Sequence, residues 1–175
     1  LMNSRNQYRH KYIDYGTADM MEAWIEDTKA PTFMLHLSFG KPINRTEAEY
    51  IFRKFTYQVS RHKYCKQHIH WFVYGGLQTK RSKGDNQYYH FHAVACTEHT
   101  LDDSQELNMR KCMGKIWKRL GGGSMSIFDK YLYGGGGIRY SMMFHPHSFD
   151  FVSCNSRGKC RRKGSCIHKE GIKRN

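Results

Sequence analysis

Five stretches of the chain combine alternating or continuous apolar positions with β-branched and aromatic side chains, and these stretches predict β-strands. Glycine, proline or polar residues bound each stretch, as is typical of strand ends. The stretches are residues 33–39, 69–78, 88–95, 124–131 and 149–152. Because a short polar loop joins the second stretch to the third, we expect these two strands to form an antiparallel hairpin.

Apolar residues recur at helical spacing in four further segments. These are residues 18–28, which Thr17 can cap, a segment that starts at Asn44 or Thr46, residues 101–120 and residues 138–144. The third of these segments is expected to start near Asp102 or Ser104. The first helix has Met21, Trp24 and Ile25 at helical spacing. The third is expected to bury Leu107, Cys112, Ile116 and Leu120. The order of strands and helices predicts a central antiparallel sheet with helices packed on it, the α+β class.

The chain of 175 residues is long enough for one domain with a proper core. We expect an N-terminal arm and short helix over residues 1–31, the main domain over 32–153 and a basic cysteine-rich tail over 154–175. The chain begins with Leu1 rather than methionine, which indicates a fragment of a longer protein with further domains. No apolar run is long enough to span a membrane and no secretory pattern opens the chain, so we expect an intracellular protein.

The charge balance favours a polyanionic partner. The chain has 29 Lys and Arg against 15 Asp and Glu, a net charge of +14, and 14% aromatic residues. Basic side chains bind phosphates and aromatic rings stack on bases, so nucleic acid is the partner that this composition predicts. The loop of the predicted hairpin carries Lys80, Arg81 and Lys83, which we expect to contact nucleic acid. Its strands offer Trp71, Tyr74, Tyr88 and Tyr89 as alternative platforms for stacking on bases.

Two histidines in the third predicted strand form half of a metal site. His90 and His92 are two residues apart, so their side chains share one strand face, about 6–7 Å apart along it. Two other pairs have this spacing but lie at the mouth of a strand or around a proline in a predicted turn: His68 with His70, and His145 with His147. Neutral imidazoles bind Mn²⁺ well and Mg²⁺ less readily, so this pair with one oxygen ligand predicts a site for Mn²⁺ or Mg²⁺.

The histidine–hydrophobic–histidine strand is followed by a long helix and then by a tyrosine segment that glycines precede, residues 136–143. Over residues 32–153 this combination resembles the HUH endonucleases, the class of rolling-circle replication initiators, relaxases and related transposases. The resemblance implies the HUH (Rep-like) nuclease fold. It also implies that the nucleophile is Tyr140, which alone among nearby tyrosines follows the glycines inside an apolar helical stretch; Tyr131 and Tyr133 do not.

The resemblance leaves two parts of the site open. Members often have a lysine three residues after the tyrosine, where this chain has Met143, so Arg139 or His145 would have to take over its role. A third metal ligand frequently comes from the strand before the histidine pair, which offers no carboxylate here. The preferred third ligand is Gln78, with His36 and Glu98 as alternatives.

The implied reaction is site-specific, metal-dependent cleavage of single-stranded DNA for rolling-circle replication or transposition. Tyr140 would attack a phosphate, form a 5′-phosphotyrosine link and release a 3′-hydroxyl, and the reverse reaction would rejoin ends. Arg139 is expected to contact the DNA. The alternative function is a non-catalytic basic nucleic-acid-binding module in which the histidines pack and zinc stabilises the fold.

Six cysteines fall into two groups. Cys65, Cys96 and Cys112 have apolar neighbours and are predicted to be reduced, buried thiols. The others form a cluster with an imidazole in the basic tail: Cys154, Cys160, Cys166 and His168. Four such ligands suit tetrahedral Zn²⁺, yet the spacing matches no common zinc finger. A zinc site and a basic tail with reduced cysteines are therefore equal alternatives.

Overall fold

The structure, a computed structural model, describes residues 12–154 and the backbone of residues 166–167. Within these residues the elements are α1 (Tyr15–Lys29), β1 (Phe33–Leu37), α2 (Arg45–Arg61), β2 (Ile69–Leu77), β3 (Tyr89–Thr97), α3 (Asp103–Arg119), β4 (Ile127–Lys130), α4 (Gly137–Phe144), β5 (His147–Ser153) and β6 (Cys166–Ile167). The described strands form one sheet in the order β4-β1-β3-β2-β5-β6. All pairs are antiparallel except β5 with β6, and the predicted α+β class is confirmed.

The predicted hairpin is confirmed and forms the centre of the sheet. β2 and β3 pair over nine positions, from Ile69 opposite Thr97 to Leu77 opposite Tyr89. β1 adds to the free side of β3, and β5 adds to the free side of β2. The two histidines predicted to bind metal therefore lie on a strand with neighbours on both sides.

Capping residues set where three helices begin. α2 starts after Asn44, whose side chain accepts a hydrogen bond of 2.9 Å from the Glu47 N–H, as the sequence predicts. α3 starts after Asp102, which forms a capping box with Gln105. α1 starts three residues earlier than predicted, because Asp14 rather than Thr17 is the N-cap residue.

One face of the sheet carries the larger core, which α2 and α3 cover. Aromatic side chains fill it, with ring centroids 5.0 Å apart for Phe52 and Phe91 and 5.3 Å for Phe55 and Trp117. Trp71 is fully buried there and donates to the Ser153 hydroxyl at 2.8 Å. This face provides most of the apolar burial that stabilises the domain.

The opposite face is covered by α1 and α4, and it is the face that carries the histidines. Ile25 of α1 and Ile138 of α4 are fully buried in a second apolar cluster with Val94 of β3. The two helices are joined by an ion pair of 2.8 Å between Asp19 and Arg139. The helix that we grouped with the N-terminal arm thus packs on the same sheet as the main domain.

One predicted core residue, Leu107, is wrong, and two residues of the helical pattern in α1 are also exposed. Leu107 is 43% exposed, Met21 is 38% exposed and Trp24 is 46% exposed. In both helices an adjoining stripe of residues faces the sheet instead. The stripe of α1 is Ala18, Glu22 and Ile25, and that of α3 is Met109, Cys112, Met113, Ile116 and Trp117. A helical apolar pattern predicts amphipathicity, but packing decides which of two neighbouring stripes is buried.

Candidate active site

Three imidazoles from two adjacent strands meet on the α1/α4 face of the sheet. His36 of β1 stands directly opposite His92 of β3, so both side chains lie on one face together with His90. Ring centroids are 4.7 Å apart for His36 and His92 and 5.5 Å for His36 and His90. His90 and His92 are separated by 5.4 Å. One nitrogen from each ring lies within 4.8 Å of the others, a spacing compatible with a shared metal ion.

The donor set fits a divalent transition metal. In the described part of the chain this is the one group of at least three histidine, cysteine or acidic side chains so arranged. His90 is buried and His36 and His92 are half-buried, and burial lowers the pKa of His36. A lowered pKa keeps this imidazole in the neutral form that binds metal ions. Three nitrogen ligands suit Mn²⁺, Zn²⁺ or a similar ion better than Mg²⁺.

The structure distinguishes the alternatives for the third ligand. His36 is the one that joins the pair. Glu98 is exposed and follows the far end of β3, six residues from His92, which is about 20 Å along a strand. Gln78 lies one residue beyond β2, where its N–H donates to the Tyr88 carbonyl at 2.7 Å, and its role as a ligand stays a prediction. The sequence could not give the register of β1 against β3, which is what brings His36 into place.

A fourth imidazole, His145, was assigned to a turn by the sequence pattern and instead lies against the cluster. Its Nε2 is 3.1 Å from His90 Nε2, and its ring centroid is 4.3 Å from that of His92. Pro146 follows it, and a residue before proline avoids helical geometry, so α4 ends at Phe144. His145 is extended at φ −120° and ψ 126°, and it is 8% exposed. The proline on which the turn prediction was based also ends the helix beside the three imidazoles.

Two other histidines of these pairs, His70 and His147, have separate partners. His70 Nε2 lies 2.8 Å from an Asp150 carboxylate oxygen. His147 Nδ1 lies 2.8 Å from the Tyr89 hydroxyl. Neither belongs to the three-imidazole group.

Tyr140 lies on the exposed side of α4, beside the imidazoles. Its ring centroid is 6.1 Å from that of His92 and 6.4 Å from that of His145, and the residue is 40% exposed. Gly136 opens α4 with a φ of 74°, a left-handed conformation that favours glycine. The glycines before the tyrosine therefore allow the sharp entry that brings the helix onto the sheet.

The two alternative tyrosines have environments unlike that of Tyr140. The Tyr131 hydroxyl is buried and donates to Glu26 at 2.8 Å, and burial together with the carboxylates of Glu26 and Glu22 raises its pKa strongly. A raised pKa disfavours the phenolate, which is the nucleophilic form. The Tyr133 hydroxyl donates to the Pro31 carbonyl at 3.2 Å.

Two clefts flank His92 and share four lining residues: Met34, His92, Gly135 and Gly137. The larger cleft, of about 500 Å³, is also lined by Tyr15, Tyr140 and Phe144. The smaller, of about 300 Å³, is bounded by His36 and the β4 edge. An extended polymer that crossed both clefts would pass directly over the imidazoles.

The predicted DNA-binding residues fall into two places. Lys80 and Lys83 are exposed in the β2–β3 loop, at the end of the hairpin nearest to His90. Arg81 in the same loop stacks on Tyr88 at 4.1 Å. Arg139 lines the larger cleft while it pairs with an aspartate of α1.

Three of the four aromatic residues that could have stacked on bases are wrong for that role. Trp71 is fully buried, Tyr74 is 4% exposed and Tyr89 is 2% exposed. Tyr88 keeps partial exposure and contacts the loop arginine. The exposed aromatic side chains near the imidazoles are instead those of the larger cleft.

The predicted zinc cluster lies mostly outside the described residues. Cys160 and His168 are not described, and Cys166 is described only as a backbone pairing with Val152. Cys154 is fully buried, and its carbonyl accepts a hydrogen bond of 3.0 Å from Ser60. The three dispersed cysteines are free thiols as predicted, and burial raises the pKa of Cys65 and Cys96 to about 12 and that of Cys112 to about 11.

Comparison with known proteins gives no relative: no protein-family model, curated protein or solved structure matches the chain. None of the helices in the described part of the chain has the length and apolar character needed to cross a bilayer. The site itself is therefore the basis for assigning a function.

Proposed function

We propose that this chain is an HUH-type endonuclease domain that nicks and rejoins single-stranded DNA through a tyrosine. The observation that carries this proposal is the position of Tyr140, whose exposed ring stands 6.1 Å from a member of a three-imidazole metal site. A nucleophile, a site for a divalent ion and an open cleft are the parts that phosphodiester transfer requires. The antiparallel sheet with helices on both faces supports an HUH-like fold.

The imidazoles of His36, His90 and His92 would hold the ion. When bound, a divalent ion would polarise an oxygen of the scissile phosphate and offset its developing negative charge. The chain's own residues hold the phosphate and the phenol close together. The sheet fixes the imidazoles, and the ion pair between Arg139 and Asp19 holds α4 against α1.

The chemical step is an exchange of phosphate esters. The Tyr140 oxygen attacks the phosphorus, a bond from phosphorus to that oxygen forms, and the bond to the 3′-oxygen breaks. The phenol's proton is transferred overall to the departing 3′-oxygen, so a 3′-hydroxyl and a 5′-phosphotyrosine result. The reverse reaction rejoins the ends without a nucleotide cofactor, because the phosphotyrosine bond stores the energy of the broken link.

The shape and charge of the site support a single strand as the substrate. The larger cleft has exposed aromatic residues, Tyr15 and Tyr140, on which unpaired bases can stack. Lys80 and Lys83 extend from the neighbouring hairpin loop, where they can contact phosphates.

The decisive experiment is a nicking assay that traps the covalent product. A labelled single-stranded DNA library is incubated with the protein and Mn²⁺ or EDTA, and adducts are resolved on a denaturing gel. The wild-type protein should form an adduct only with Mn²⁺. Tyr140→Phe should form no adduct while it still binds DNA, because the variant lacks only the attacking oxygen.

Tyr133→Phe is the matched control, because Tyr133 is a comparably exposed tyrosine (54%) that lies outside both clefts. It should form the adduct normally. An adduct that persists in Tyr140→Phe would place the nucleophile elsewhere. DNA binding without any adduct in the wild-type protein would favour the non-catalytic binding module.

A further inference from the structure

A chain of hydrogen bonds links the C-terminal end of α4 to the imidazole cluster. His145 Nδ1 lies 2.8 Å from the Ser141 carbonyl oxygen, and His145 Nε2 lies 3.1 Å from His90 Nε2. Ser141 and His145 belong to the last turn and the C-cap of the helix that carries Tyr140. His90 belongs to the cluster on β3. The helix of the proposed nucleophile and the proposed metal ligand are therefore joined by two hydrogen bonds through one side chain.

The first hydrogen bond fixes the tautomer of His145. A carbonyl oxygen only accepts, so the proton of this bond belongs to His145 Nδ1. His145 packs against His90 and His92, and a neutral ring avoids charge repulsion among these imidazoles. A neutral imidazole has one N–H and one lone pair, so His145 Nε2 has the lone pair and accepts.

The second hydrogen bond then fixes the tautomer of His90. Because His145 Nε2 accepts, the proton between the two rings belongs to His90 Nε2. The lone pair of a neutral His90 is consequently on Nδ1. A histidine that binds a metal typically donates its other ring N–H to a neighbouring acceptor, which sets the orientation of the ring.

The surrounding backbone holds His145 in this position. Its backbone N–H donates to the Ser141 carbonyl at 3.1 Å, and Pro146 follows it in the chain. The backbone of His145 is therefore restrained by the helix before it and by the proline after it. Gly76 of β2 stands directly opposite His90, and the absence of a side chain at Gly76 leaves room for His145 and Pro146. A Cβ at Gly76 would come within 3.1 Å of Pro146 Cδ and 3.5 Å of His145 Cδ2.

From these contacts we infer that His145 is a positioning residue that holds His90 as the Nε2–H tautomer, so that His90 binds the metal ion through Nδ1. The inference rests on the proposed function, because it deepens the description of the same metal site. It also gives α4 a direct link to the metal, since any displacement of that helix moves the acceptor of the His90 proton.

The tautomers can be observed directly by NMR. Long-range ¹H–¹⁵N correlation spectra of the ¹⁵N-labelled, metal-free protein distinguish protonated from unprotonated ring nitrogens, with His90→Gln used for assignment. His90 is expected to show a protonated Nε2 and an unprotonated Nδ1. After Zn²⁺ is added, the metal-bound shift is expected at His90 Nδ1. An Nδ1–H tautomer in the metal-free protein, or Zn²⁺ on Nε2, would overturn the inference.

Variants of His145 test whether this residue determines the tautomer of His90. His145→Ala should give a mixture of His90 tautomers and lower the Zn²⁺ affinity by about 10- to 100-fold. His145→Gln, whose amide oxygen can accept the His90 proton, should restore part of both properties. The control is His147→Ala, which removes a histidine two residues away that contacts Tyr89 instead, and it should leave the His90 spectrum unchanged. An unchanged His90 spectrum in His145→Ala would contradict the role of His145, and the wild-type spectrum remains a test if that variant does not fold.

The outcome separates this inference from the proposed function. A protein that nicks DNA but holds His90 as the other tautomer overturns the inference alone. A protein with the expected tautomer that binds Zn²⁺ but never nicks DNA overturns only the nuclease proposal. Failure to bind Zn²⁺ and Mn²⁺ overturns both.

Discussion

His36 joins the three-imidazole cluster from a different strand than His90 and His92. Its position therefore depends on a different structural feature, which can be tested separately. The geometry of a single strand determines how His90 and His92 lie relative to each other. The position of His36 is determined instead by the pairing of β1 with β3. Burial lowers the pKa of His36, which favours the neutral form of the ring that binds metal ions.

We expect His36→Ala to weaken Mn²⁺ binding by more than 100-fold, because it removes one of three ligands rather than an outer hydrogen-bond partner. Isothermal titration calorimetry with Mn²⁺ measures this directly. His70→Ala is the matched control, since His70 lies on the same sheet face but pairs with Asp150. Equal affinities for Mn²⁺ in the two variants would exclude His36 as a ligand.

At this scale the sequence predicts what depends on local geometry. Strand alternation is enough to place His90 and His92 on one face, and the resemblance to the HUH endonucleases points to Tyr140, which the structure places beside His92. His36 depends on the register between two strands far apart in sequence, and His145 depends on how a helix end docks on the sheet. Neither of these long-range relations can be read from residue spacing.

At the scale of elements, glycines decide how closely neighbouring segments approach. Gly76 in the middle of the sheet faces the segment that ends α4. Gly114 lies inside α3, where an added Cβ would meet Phe128 ring atoms only at 3.8 Å, an ordinary contact distance. Replacement of glycine by alanine at these two positions should therefore have opposite effects on the stability of the fold.

Gly76→Ala should destabilise the fold by about 1 to 3 kcal/mol, because the methyl group overpacks the space that Pro146 occupies. Gly114→Ala should stabilise the fold by about 0.5 to 1 kcal/mol, because alanine loses less backbone entropy in a helix. Urea denaturation followed by circular dichroism gives both free energies of unfolding. A neutral or stabilising Gly76→Ala would show that His145 and Pro146 are not tightly seated.

Element boundaries were most predictable where a cap fixes them. Asn44 and Asp102 begin their helices as the sequence indicates, because a capping side chain is a local feature. The buried faces of α1 and α3 were less predictable, since the exposed Trp24 and Leu107 have the same spacing as residues that are buried. Tertiary packing, which a single helix does not contain, selects between them.

For the whole molecule, the proposed function implies that basic residues near the site, rather than the net charge of +14 as a whole, attract the DNA. The hairpin loop with Lys80 and Lys83 lies at the end of the hairpin nearest to His90. The exposed lysines of α3, including Lys111 and Lys115, lie over the opposite sheet face. These two groups separate binding at the proposed site from general electrostatic attraction.

The double variant Lys80→Ala/Lys83→Ala should lower affinity for single-stranded DNA and reduce the slope of log affinity against log salt by about 1.4, or about 0.7 for each lysine. Lys111→Ala/Lys115→Ala removes the same charge and should change the slope much less. Fluorescence anisotropy with a labelled oligonucleotide at several salt concentrations measures both. Equal reductions of affinity and of salt slope in the two double variants would indicate that DNA binds diffusely over both faces.

The strand order also has a consequence for the timing of biosynthesis. β1 pairs with β3 and β4, so it can join the sheet only after these later strands have been synthesised. His145 follows His90, which it contacts, by 55 positions in the chain. By the proposed function, a growing polypeptide would have no complete active site until α4 has left the ribosome. A nascent or prematurely terminated product that lacks this helix would retain three imidazoles but no Tyr140, and by this proposal it could not attach itself to DNA.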